Sequence, residues 1–484
     1  MFLEKIANAP SAVTFNDYIL LPGHVYVEPD EIDVSTWLTR EIKLVCPLLS
    51  SPMDTVTESE MAIALARLGG MGVLHRNCSI EEEVEQARIV KRAESFIIRD
   101  VVTIKPDQLV GEAVKIMQEK KISGLPVVKG NLLQGIITKR DVYFSSHDKQ
   151  VNEVMTEKMT TADESVTIEE AKELMRENKI EKLPIIDEKK RLRGLITIKD
   201  IYLREKYPQA TRDESGRLMV GAAISPFDLE RAKNLEKYVD LLVIDVAHFH
   251  NENVIQATKK IMENVGSEII VGNIGTREAA LDIATRLEGV AAIRAGVGSG
   301  SICSTSEITK AGSPTLYATS VSADAFNEVG ANIKIIADGG IRIPGHVALA
   351  LAVGASTVMM GNIFARCRES PGELVVIGER YYKRYRGMGS SAARAKRMAL
   401  DRYAQPIKGI AEGVEGMVPY AGEAVEVVSR FIAGLKASMG YAGASSIKDM
   451  WLLAKLARLS SLGVQEMKPH SIVLPSTGVE IGEF

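Results

Sequence analysis

The sequence predicts an α/β protein built on a (β/α)8 barrel that carries an inserted pair of small modules. Outside residues 95–205, short apolar runs alternate with helical stretches at intervals of about 25–30 residues, as in folds made of βα units. The runs are apolar throughout, which is typical of parallel strands buried on both faces. Several end in a polar residue, namely Asp245, Asn273, Arg294 and Asp338. Repeated polar strand ends favour a closed barrel, where catalytic residues lie at that end, over a doubly wound sheet.

The inserted modules are visible as an internal repeat. Residues 122–141 and 180–200 share a Leu-Pro pair, a glycine and a final Thr-x-x-Asp, and an amphipathic stretch precedes each copy. Each copy therefore predicts a helix, a strand, a turn, a strand and a second helix, and we expect the two copies to pack together. The predicted domains are the first part of the barrel (1–94), the insertion (95–205) and the second part of the barrel (206–484).

Composition excludes several classes of protein. The 484 residues hold 59 Lys and Arg against 63 Asp and Glu, which argues against a DNA-coating or membrane-surface protein. Four cysteines without a CxxC pair indicate neither a disulfide framework nor a zinc site. No secretory signal is evident at the N-terminus, and the uncharged stretch 343–365 reads as a helix and a strand rather than a membrane span. We expect a cytoplasmic protein.

The Gly-rich segment GVGSGSICST, 296–305, contains the strongest candidate for a nucleophile. Small residues let the backbone approach a ligand closely, and Cys303 lies within this loop at the expected barrel mouth. The other three cysteines lack such a loop, so we interpret them as structural.

Two glycine-containing strand ends indicate an anion site. DGGIR, 338–342, and MMGN, 359–362, belong to adjacent βα units, which commonly expose main-chain N–H groups to a phosphate. Asp338 is anionic and suits a ribose diol instead. A simple tight turn is the less favoured alternative for each of these two clusters. YRGMGS, 385–390, is also rich in glycine and could line a nucleotide with main-chain groups.

Three weaker signals remain. The long polar segment 391–420, which contains Arg402 and Tyr403, predicts a mobile flap beside an active site. DVAHFH, 245–250, has two histidines near an aspartate but no third ligand, so a metal there is disfavoured. Thr138 with Asp141, and Thr197 with Asp200, could each cap a helix or bind a nucleotide.

Taken together these motifs resemble the inosine-5′-monophosphate (IMP) dehydrogenase family, and the repeat resembles a pair of CBS domains. The likeness covers nearly the whole chain. The matching segments are 14–23 (TFNDYILLPG), 50–58 (SSPMDTVTE), 69–77 (GGMGVLHRN), 245–250, 272–276 (GNIGT), the loop 296–305, 338–342, 385–390, 401–403 (DRY), 412–416 (EGVEG) and 439–444 (MGYAGA). The loop with its downstream glycine motifs is shared with guanosine-5′-monophosphate (GMP) reductase, while the Arg-Tyr pair favours the dehydrogenase.

The resemblance implies oxidation of IMP by NAD and water to xanthosine-5′-monophosphate (XMP), through a covalent intermediate on Cys303. The implied catalytic residues are Cys303, Thr305, Arg402 and Tyr403. The implied IMP ligands are Ser51, Met53, Ser301, Asp338, Gly339, Gly340, Gly361, Asn362, Tyr385, Gly387, Met388, Gly389 and Glu412. The implied NAD contacts are Asp245, Asn273, Arg294, Gly296 and Gly298, and a potassium ion would lie on the carbonyls of Gly298, Gly300 and Cys303. The base in hydrolysis stays open between a neutral Arg402 and a relay through Thr305 and Glu412.

The resemblance also implies a homotetramer, or an octamer formed through the CBS domains, and a regulatory purine nucleotide at Thr138, Asp141, Thr197 and Asp200. Two positions depart from the family pattern. Asn362 stands where many members have Ser or Gly, and Val246 and Ala247 stand where some have Ser. The alternatives to the dehydrogenase are an NADPH-dependent GMP reductase and a catalytically silent nucleotide sensor.

Overall fold

The computed structural model describes residues 2–94, 96–396 and 412–469. The chain forms two compact units. The first contains Met1–Lys91, Gln209–Asp213 and Leu218–Phe484, and the second contains Arg92–Pro208 and Glu214–Arg217. We refer to them as the barrel unit and the inserted unit.

The first part of the barrel unit supplies two barrel strands. Its elements are α1 (Phe2–Ala7), β1 (Tyr18–Leu21), β2 (Thr36–Trp37), β3 (Lys43–Leu44), β4 (Leu48–Ser50), α2 (Ser59–Arg67), β5 (Met71–Leu74) and α3 (Ile80–Arg92). The β2–β3 hairpin contributes Leu38, Ile42 and Leu44 to the core inside the barrel. The Thr39 hydroxyl donates to Glu268 at the start of a barrel strand, so this hairpin covers the amino-terminal end of the barrel.

The inserted unit is a pair of similar α/β modules. Its elements are α4 (Val110–Glu119), β6 (Gly124–Lys129), β7 (Leu132–Thr138), α5 (Lys139–Tyr143), α6 (Ile168–Asn178), β8 (Lys182–Ile186), β9 (Leu192–Thr197) and α7 (Ile198–Lys206). β6 pairs with β7 and β8 with β9, both antiparallel, and the register shifts at the equivalent steps Val127/Val128 and Ile185/Ile186. Matching irregularities at matching positions show that the sequence repeat is a structural repeat.

The second part of the barrel unit alternates strands and helices. Its elements are β10 (Gly221–Ile224), α8 (Leu229–Leu235), β11 (Leu241–Asp245), α9 (Glu252–Met262), β12 (Glu268–Ile274), α10 (Arg277–Arg286), β13 (Ala292–Ala295), α11 (Thr305–Thr309), α12 (Thr315–Glu328), β14 (Lys334–Asp338), α13 (Pro344–Ala352), β15 (Thr357–Met360) and α14 (Asn362–Ala365). α9 shows why these helices form. Asn251 caps its first N–H groups, and Val254, Ile255 and Ile261 bury one face.

The last part of the chain adds a small sheet and outer helices. Its elements are β16 (Leu374–Ile377), β17 (Arg380–Arg386), α15 (Ser391–Ala395), β18 (Glu415–Pro419), α16 (Ala424–Ala442), α17 (Ile447–Leu453), β19 (Lys455–Arg458) and α18 (Ser461–Glu466). β18 pairs with β17, so the carboxyl end of the predicted flap is an ordered strand. α16 packs on α13 and α2 around a core that includes Phe364 and Phe431.

The barrel is closed. Its strands neighbour one another in the order β10, β11, β12, β13, β14, β15, β4 and β5, all parallel, and β5 pairs back to β10. β4 is therefore the first barrel strand and β15 the eighth. This confirms the predicted (β/α)8 barrel and excludes the doubly wound sheet. The uncharged stretch is α13 followed by β15, as predicted, and among the described helices none is long and apolar enough to cross a membrane.

The chain leaves and re-enters the barrel unit at a buried ion cluster. The Lys91 Nζ lies 2.7 Å from Asp240 and 3.1 Å from Asp213, and the Lys91 side chain is only 8% exposed. Lys91 ends the first part of the barrel unit, whereas Asp213 belongs to the segment that returns to it. Asp240 also accepts the main-chain N–H of Val220, just before β10. The cluster therefore fixes both chain crossings to the barrel wall.

Candidate active site

A cavity of about 610 Å³ opens among the loops that follow the barrel strands at their carboxyl ends. Loops after the first, fourth, sixth, seventh and eighth strands contribute to its wall, together with Asn273 near the end of the fifth strand. β17 and the segment that follows it complete the wall on one side. Residues distant in sequence meet here because all eight parallel strands end on the same face of the barrel.

The side of the cavity near β13 and β14 is a buried charge network centred on Arg294. Its Nη1 lies 2.7 Å from Asp245 Oδ1, and its Nη2 lies 2.7 Å from Asp338 Oδ2. Burial alone would lower the pKa of the guanidinium, but the charges of Asp338 and Asp245 outweigh it and raise that pKa. Asn273 Nδ2 donates to the same Asp338 oxygen at 2.8 Å. The side chain of Asp338 is thus fixed through Oδ2, which leaves Oδ1 for a ligand.

A glycine makes the Asp245–Arg294 contact possible. Asp245, Gly272 and Arg294 lie in register on three neighbouring strands. A Cβ at Gly272 would come within 2.5 Å of the Arg294 Cβ, so only glycine leaves room for the arginine to reach across β12.

The loop after the sixth strand presents the thiol. Cys303 Sγ lies 3.3 Å from Thr305 Oγ1, and the Thr305 hydroxyl donates to Glu412 Oε2 at 3.0 Å. The thiol, the hydroxyl and the carboxylate thus form a continuous hydrogen-bonded row. A group of this kind can carry a proton away from the sulfur or toward a substrate atom.

The conformation of this loop requires its glycines. Gly296 and Gly298 have φ of +122° and +75°, a region that disfavours other residues. A Cβ at Gly298 would lie 1.9 Å from Ser306 Oγ, and one at Gly296 would lie 2.6 Å from Thr315 Oγ1. The loop is therefore held against α11 and α12 by contacts that leave no room for a side chain.

The loops after the seventh and eighth strands meet the cysteine loop at the other end of the cavity. Asn362 Nδ2 donates to Ser301 Oγ at 3.1 Å, and Arg366 Nε donates to Asn362 Oδ1 at 2.9 Å. Tyr385 lies beside them, and burial raises the pKa of its phenol. This end of the cavity is rich in hydrogen-bond donors.

The segment after β17 is anchored by a bidentate ion pair. Arg386 Nε and Nη2 lie 3.0 and 2.6 Å from the two oxygens of Asp54, which also accepts from Asn77 Nδ2 at 2.7 Å. Burial would raise the pKa of the Asp54 carboxyl, but Arg386 and Asn77 hold it below its usual value. This pair fixes the Gly387–Gly389 segment against the loop after the first strand.

Most of the residues singled out from the sequence line this one cavity. They are Ser51, Met53, Asn273, Arg294, Gly296, Gly298, Gly300, Ser301, Cys303, Thr305, Asp338, Gly339, Gly340, Gly361, Asn362, Tyr385, Gly387, Met388, Gly389 and Glu412. Among the described site residues that were predicted in the barrel unit, Asp245 is the exception, because its side chain is 2% exposed and turns inward to Arg294. Arg402 and Tyr403 lie outside the described residues.

Sequence reasoning missed two lining arginines, Arg342 and Arg366. Both lie beyond a glycine turn after a strand, where spacing alone does not say which way a side chain points. The available signal was their position, two residues after DGG for Arg342 and four residues after MMGN for Arg366.

The two Thr-x-x-Asp motifs of the inserted unit act as helix caps. The Thr138 N–H and hydroxyl each donate to Asp141 Oδ2 at 2.7 Å at the start of α5. The Thr197 hydroxyl donates to Asp200 Oδ2, and its oxygen accepts from the Asp200 N–H at the start of α7. Each carboxylate uses one oxygen for its threonine.

The histidines of 245–250 do not converge on a metal site. His250 Nε2 lies 3.1 Å from Asp282, and the ring of His248 stands 6.4 Å from that of His250. Within the described ranges, no group of three or more His, Cys, Asp or Glu is placed to hold a metal ion.

Comparison with known proteins places these features in a family. The model of the IMP dehydrogenase / GMP reductase domain matches residues 12–470. The chain is 54% identical over 462 residues to an inosine-5′-monophosphate dehydrogenase of Korarchaeum cryptofilum, covering 95% of this chain and 97% of that one. It is 48% identical to the Methanocaldococcus jannaschii protein of the same name, with 98% of each chain covered. A crystal structure of a GMP reductase variant from Trypanosoma brucei with guanosine 5′-monophosphate superposes with a TM-score of 0.89 at 34% identity, covering 97% of this chain and all of that one.

Proposed function

Because the chain belongs to the IMP dehydrogenase / GMP reductase family and has the activity of an IMP dehydrogenase, we propose that Cys303 is the nucleophile with which it oxidises IMP to XMP. One observation carries the assignment. The Cys303 thiol joins Thr305 and Glu412 in a hydrogen-bonded row on the wall of the cavity that Asp338 and Asn362 also line.

IMP would lie with its base at Cys303 and its phosphate at the far end of the cavity. Asp338 Oδ1 suits the ribose diol, since a carboxylate oxygen accepts from both hydroxyls. Gly339, Gly340, Gly361, Ser301, Asn362 and Tyr385 would surround the phosphate, and Ser51, Met53, Gly387, Met388, Gly389 and Glu412 would surround the base and sugar. The order follows from the barrel, whose seventh and eighth strand loops commonly bind phosphate.

The proposed reaction has two stages, and atoms and electrons balance in each. The Cys303 thiolate bonds to C2 of the hypoxanthine, and the hydride at C2 departs with its two electrons, leaving a thioimidate. Water then adds to C2 and the carbon–sulfur bond breaks, which returns the thiolate and yields XMP. The thiol proton can pass to Thr305 and on to Glu412, which lies 3.0 Å from the threonine oxygen.

NAD, when bound, accepts the hydride. Asn273, Arg294, Gly296 and Gly298 line the cavity beside Cys303 and would face it. Asp245 would act only through Arg294, which replaces the direct contact expected from the sequence. Val246 and Ala247 also line the cavity and present apolar groups there instead of hydroxyls.

For the hydrolytic stage we propose Thr305 and Glu412 as the groups that orient and deprotonate water. Their 3.0 Å contact supports this choice. Arg402 and Tyr403 would join them from the flap, whose central residues lie outside the described part of the chain.

Three further properties belong to the same proposal. A potassium ion would be held by the carbonyls of Gly298, Gly300 and Cys303, which are neutral oxygens on one short loop and suit a monovalent cation. The protein would assemble as a homotetramer, or as an octamer through the inserted unit, in the cytoplasm. The inserted unit would be a CBS pair that binds a purine nucleotide, using the Asp141 and Asp200 oxygens that the caps leave.

The activity is tested by absorbance at 340 nm. Purified protein with IMP and NAD should produce a rising signal, whereas GMP with NADPH should produce no change. Consumption of NADPH with GMP and silence with IMP would assign the chain to the reductase branch, to which the solved neighbour of 34% identity belongs. No change in absorbance in either mixture would support the alternative of a catalytically silent nucleotide sensor.

The regulatory part of the proposal is tested separately on the full chain. Titrating ATP or GTP should change the rate of the native protein, and Asp141→Asn with Asp200→Asn should remove that response while leaving the basal rate unchanged. A basal rate lost in this double variant would show instead that the inserted unit supports the active conformation.

A further inference from the structure

The end of the cavity around Asn362 is lined by an arginine, Arg366, to which the proposed reaction assigns no role. A nucleotide phosphate carries about −1.5 to −2 charges at neutral pH. Within the described part of the chain three arginines line the cavity, and the side chain of Arg294 lies between Asp245 and Asp338. Arg342 and Arg366 are therefore the two described arginines of the cavity wall whose charge could balance that of the phosphate.

The contacts distinguish these two arginines. Arg366 follows the eighth strand and α14, and its Nε donates to Asn362 Oδ1 at 2.9 Å. Asn362 in turn donates to Ser301 Oγ at 3.1 Å. Arg342 has an exposed side chain, and its main-chain N–H donates to His346 Nδ1. Of the two, Arg366 is the one whose side chain is joined to Asn362 and Ser301.

Asn362 suits the task of orienting an arginine. An amide side chain accepts through oxygen and donates through nitrogen at the same time, so Asn362 can hold Arg366 and reach Ser301 together. A glycine at this position could do neither. The Nε contact fixes the plane of the guanidinium, a group whose planar geometry matches the oxygens of a phosphate.

We propose that Arg366 is a specificity-determining ligand of the substrate phosphate, oriented by Asn362, and that it makes the site select a nucleotide over its nucleoside. This rests on the proposed function, because it assumes that the phosphate of IMP lies between the seventh and eighth strand loops. The inference assigns to Arg366 a role that the sequence motifs did not indicate.

The test is Arg366→Gln, with binding of IMP and of inosine measured by calorimetry without NAD. The amide nitrogen of glutamine lies the same number of bonds from the backbone as Arg Nε, so this variant can keep the contact to Asn362 while losing the charge. We expect the Kd for IMP to rise about 10- to 100-fold, as for loss of a hydrogen bond to a charged group. The Kd for inosine should change less than about twofold, since inosine has no phosphate for the charge to meet.

Two matched variants serve as controls. Arg368→Gln removes an arginine two residues away whose side chain is 62% exposed and lies 3.2 Å from Glu423, and it should leave IMP binding unchanged. Arg342→Gln removes the rival cavity arginine and should weaken IMP binding less than Arg366→Gln. If Arg366→Gln does not fold, Arg366→Lys, which keeps the charge but not the fork, should retain part of the preference for IMP over inosine.

The outcomes separate this inference from the proposed function. Unchanged IMP binding in Arg366→Gln, an equal loss for inosine, or a larger loss in Arg342→Gln would overturn the role of Arg366. Native protein that binds IMP tightly but turns over neither substrate pair would contradict the dehydrogenase reaction at Cys303, while the role of Arg366 in phosphate binding would stand.

Discussion

Aspartates that follow strands have opposite uses in the two units of this molecule. In the barrel unit, Asp338 ends the seventh strand, and its Oδ2 meets Arg294 and Asn273 from neighbouring strands. In the inserted unit, Asp141 and Asp200 follow a strand by three residues and bond to their own threonines. The first carboxylate is held across the fold toward a cavity, whereas the other two stabilise the helix that begins beside them.

This difference shows that a sequence motif does not by itself reveal the direction in which its carboxylate points. A closed parallel barrel brings several strand ends together, so polar groups there meet partners from elsewhere in the sequence. A hairpin followed directly by a helix offers the local N–H groups first. The comparison predicts large effects on chemistry and stability in the barrel unit and small, local effects in the inserted unit.

The largest effect should come from Cys303→Ala. Loss of the nucleophile should lower turnover of IMP and NAD by about 10⁴-fold or more while leaving IMP binding nearly intact, because only the covalent step is lost. The measurements are the 340 nm rate and the calorimetric Kd. Cys78→Ala, at a cysteine outside the cavity, should keep the native rate. Turnover that persists in Cys303→Ala would contradict the prediction that the chemical step depends on this residue of the barrel unit.

The next effect concerns the buried charge network. Arg294→Met should lower the free energy of unfolding by about 3–5 kcal/mol, because Asp245 and Asp338 lose the buried cation between them. Urea unfolding followed by tryptophan fluorescence isolates this effect, since Trp37 and Trp451, the only two tryptophans, both belong to the barrel unit.

The exposed pair of Arg277 and Glu328 provides the control for Arg294. Their side chains are 43% and 58% exposed, so Arg277→Met should cost about 1 kcal/mol or less. Equal losses of unfolding free energy in Arg294→Met and Arg277→Met would show that burial does not make the network around Asp338 more stabilising than the exposed pair.

A pH effect should follow from His346, which lies behind the Gly340 turn and stacks on Phe15 with ring centroids 5.0 Å apart. Burial lowers its pKa from 6.5 to about 4. The unfolded chain therefore binds the proton first on acidification, so the stability that neutral His346 contributes is complete above pH 6.5 and is lost between pH 6.5 and 4.

His346→Asn keeps an acceptor for the Arg342 N–H and removes the titration. Between pH 7 and pH 5 the native barrel unit should lose about 2 kcal/mol more than this variant, measured by urea unfolding at each pH. Parallel losses in the two proteins would show that His346 does not contribute to acid sensitivity.

The smallest effect should distinguish the caps of the two units. Thr276 caps α10 in the barrel unit and Thr197 caps α7 in the inserted unit. Each change to Ala should cost about 1 kcal/mol. Only Thr276→Ala should shift the tryptophan unfolding midpoint, whereas Thr197→Ala should raise amide hydrogen exchange within residues 198–206 and leave turnover unchanged. A lower turnover rate in Thr197→Ala would show that the inserted unit contributes to catalysis. It would contradict the predicted difference between the two units.

Much of the fold was predictable because its signals are local and repeated. Apolar runs such as 241–245 became fully buried strands, and the repeat at 122–141 and 180–200 became two hairpins with matching register shifts. The glycine loops were also readable, since Gly296 and Gly298 occupy conformations and spaces that exclude other residues.

What the sequence could not supply is direction and distance across strands. Asp245 ends its strand as predicted but turns to Arg294 over Gly272, a contact that depends on the register of three strands. Arg366 lies five residues beyond its glycine, and only the turn of α14 brings it back to Asn362. Contacts across strands depend on their register, which the sequence does not state, and a spacing of four residues becomes a contact only where a helix forms.

The Lys91 cluster has a consequence for how this architecture can change over evolutionary time. The last residue before the insertion and a residue of the returning segment are joined directly, with Lys91 Nζ 3.1 Å from Asp213 Oδ2. A short loop could span that gap as well as a folded module does. Gene rearrangements could thus remove, replace or enlarge the segment inserted at this point. The barrel would accept each new inserted domain without changes to its own strands and helices.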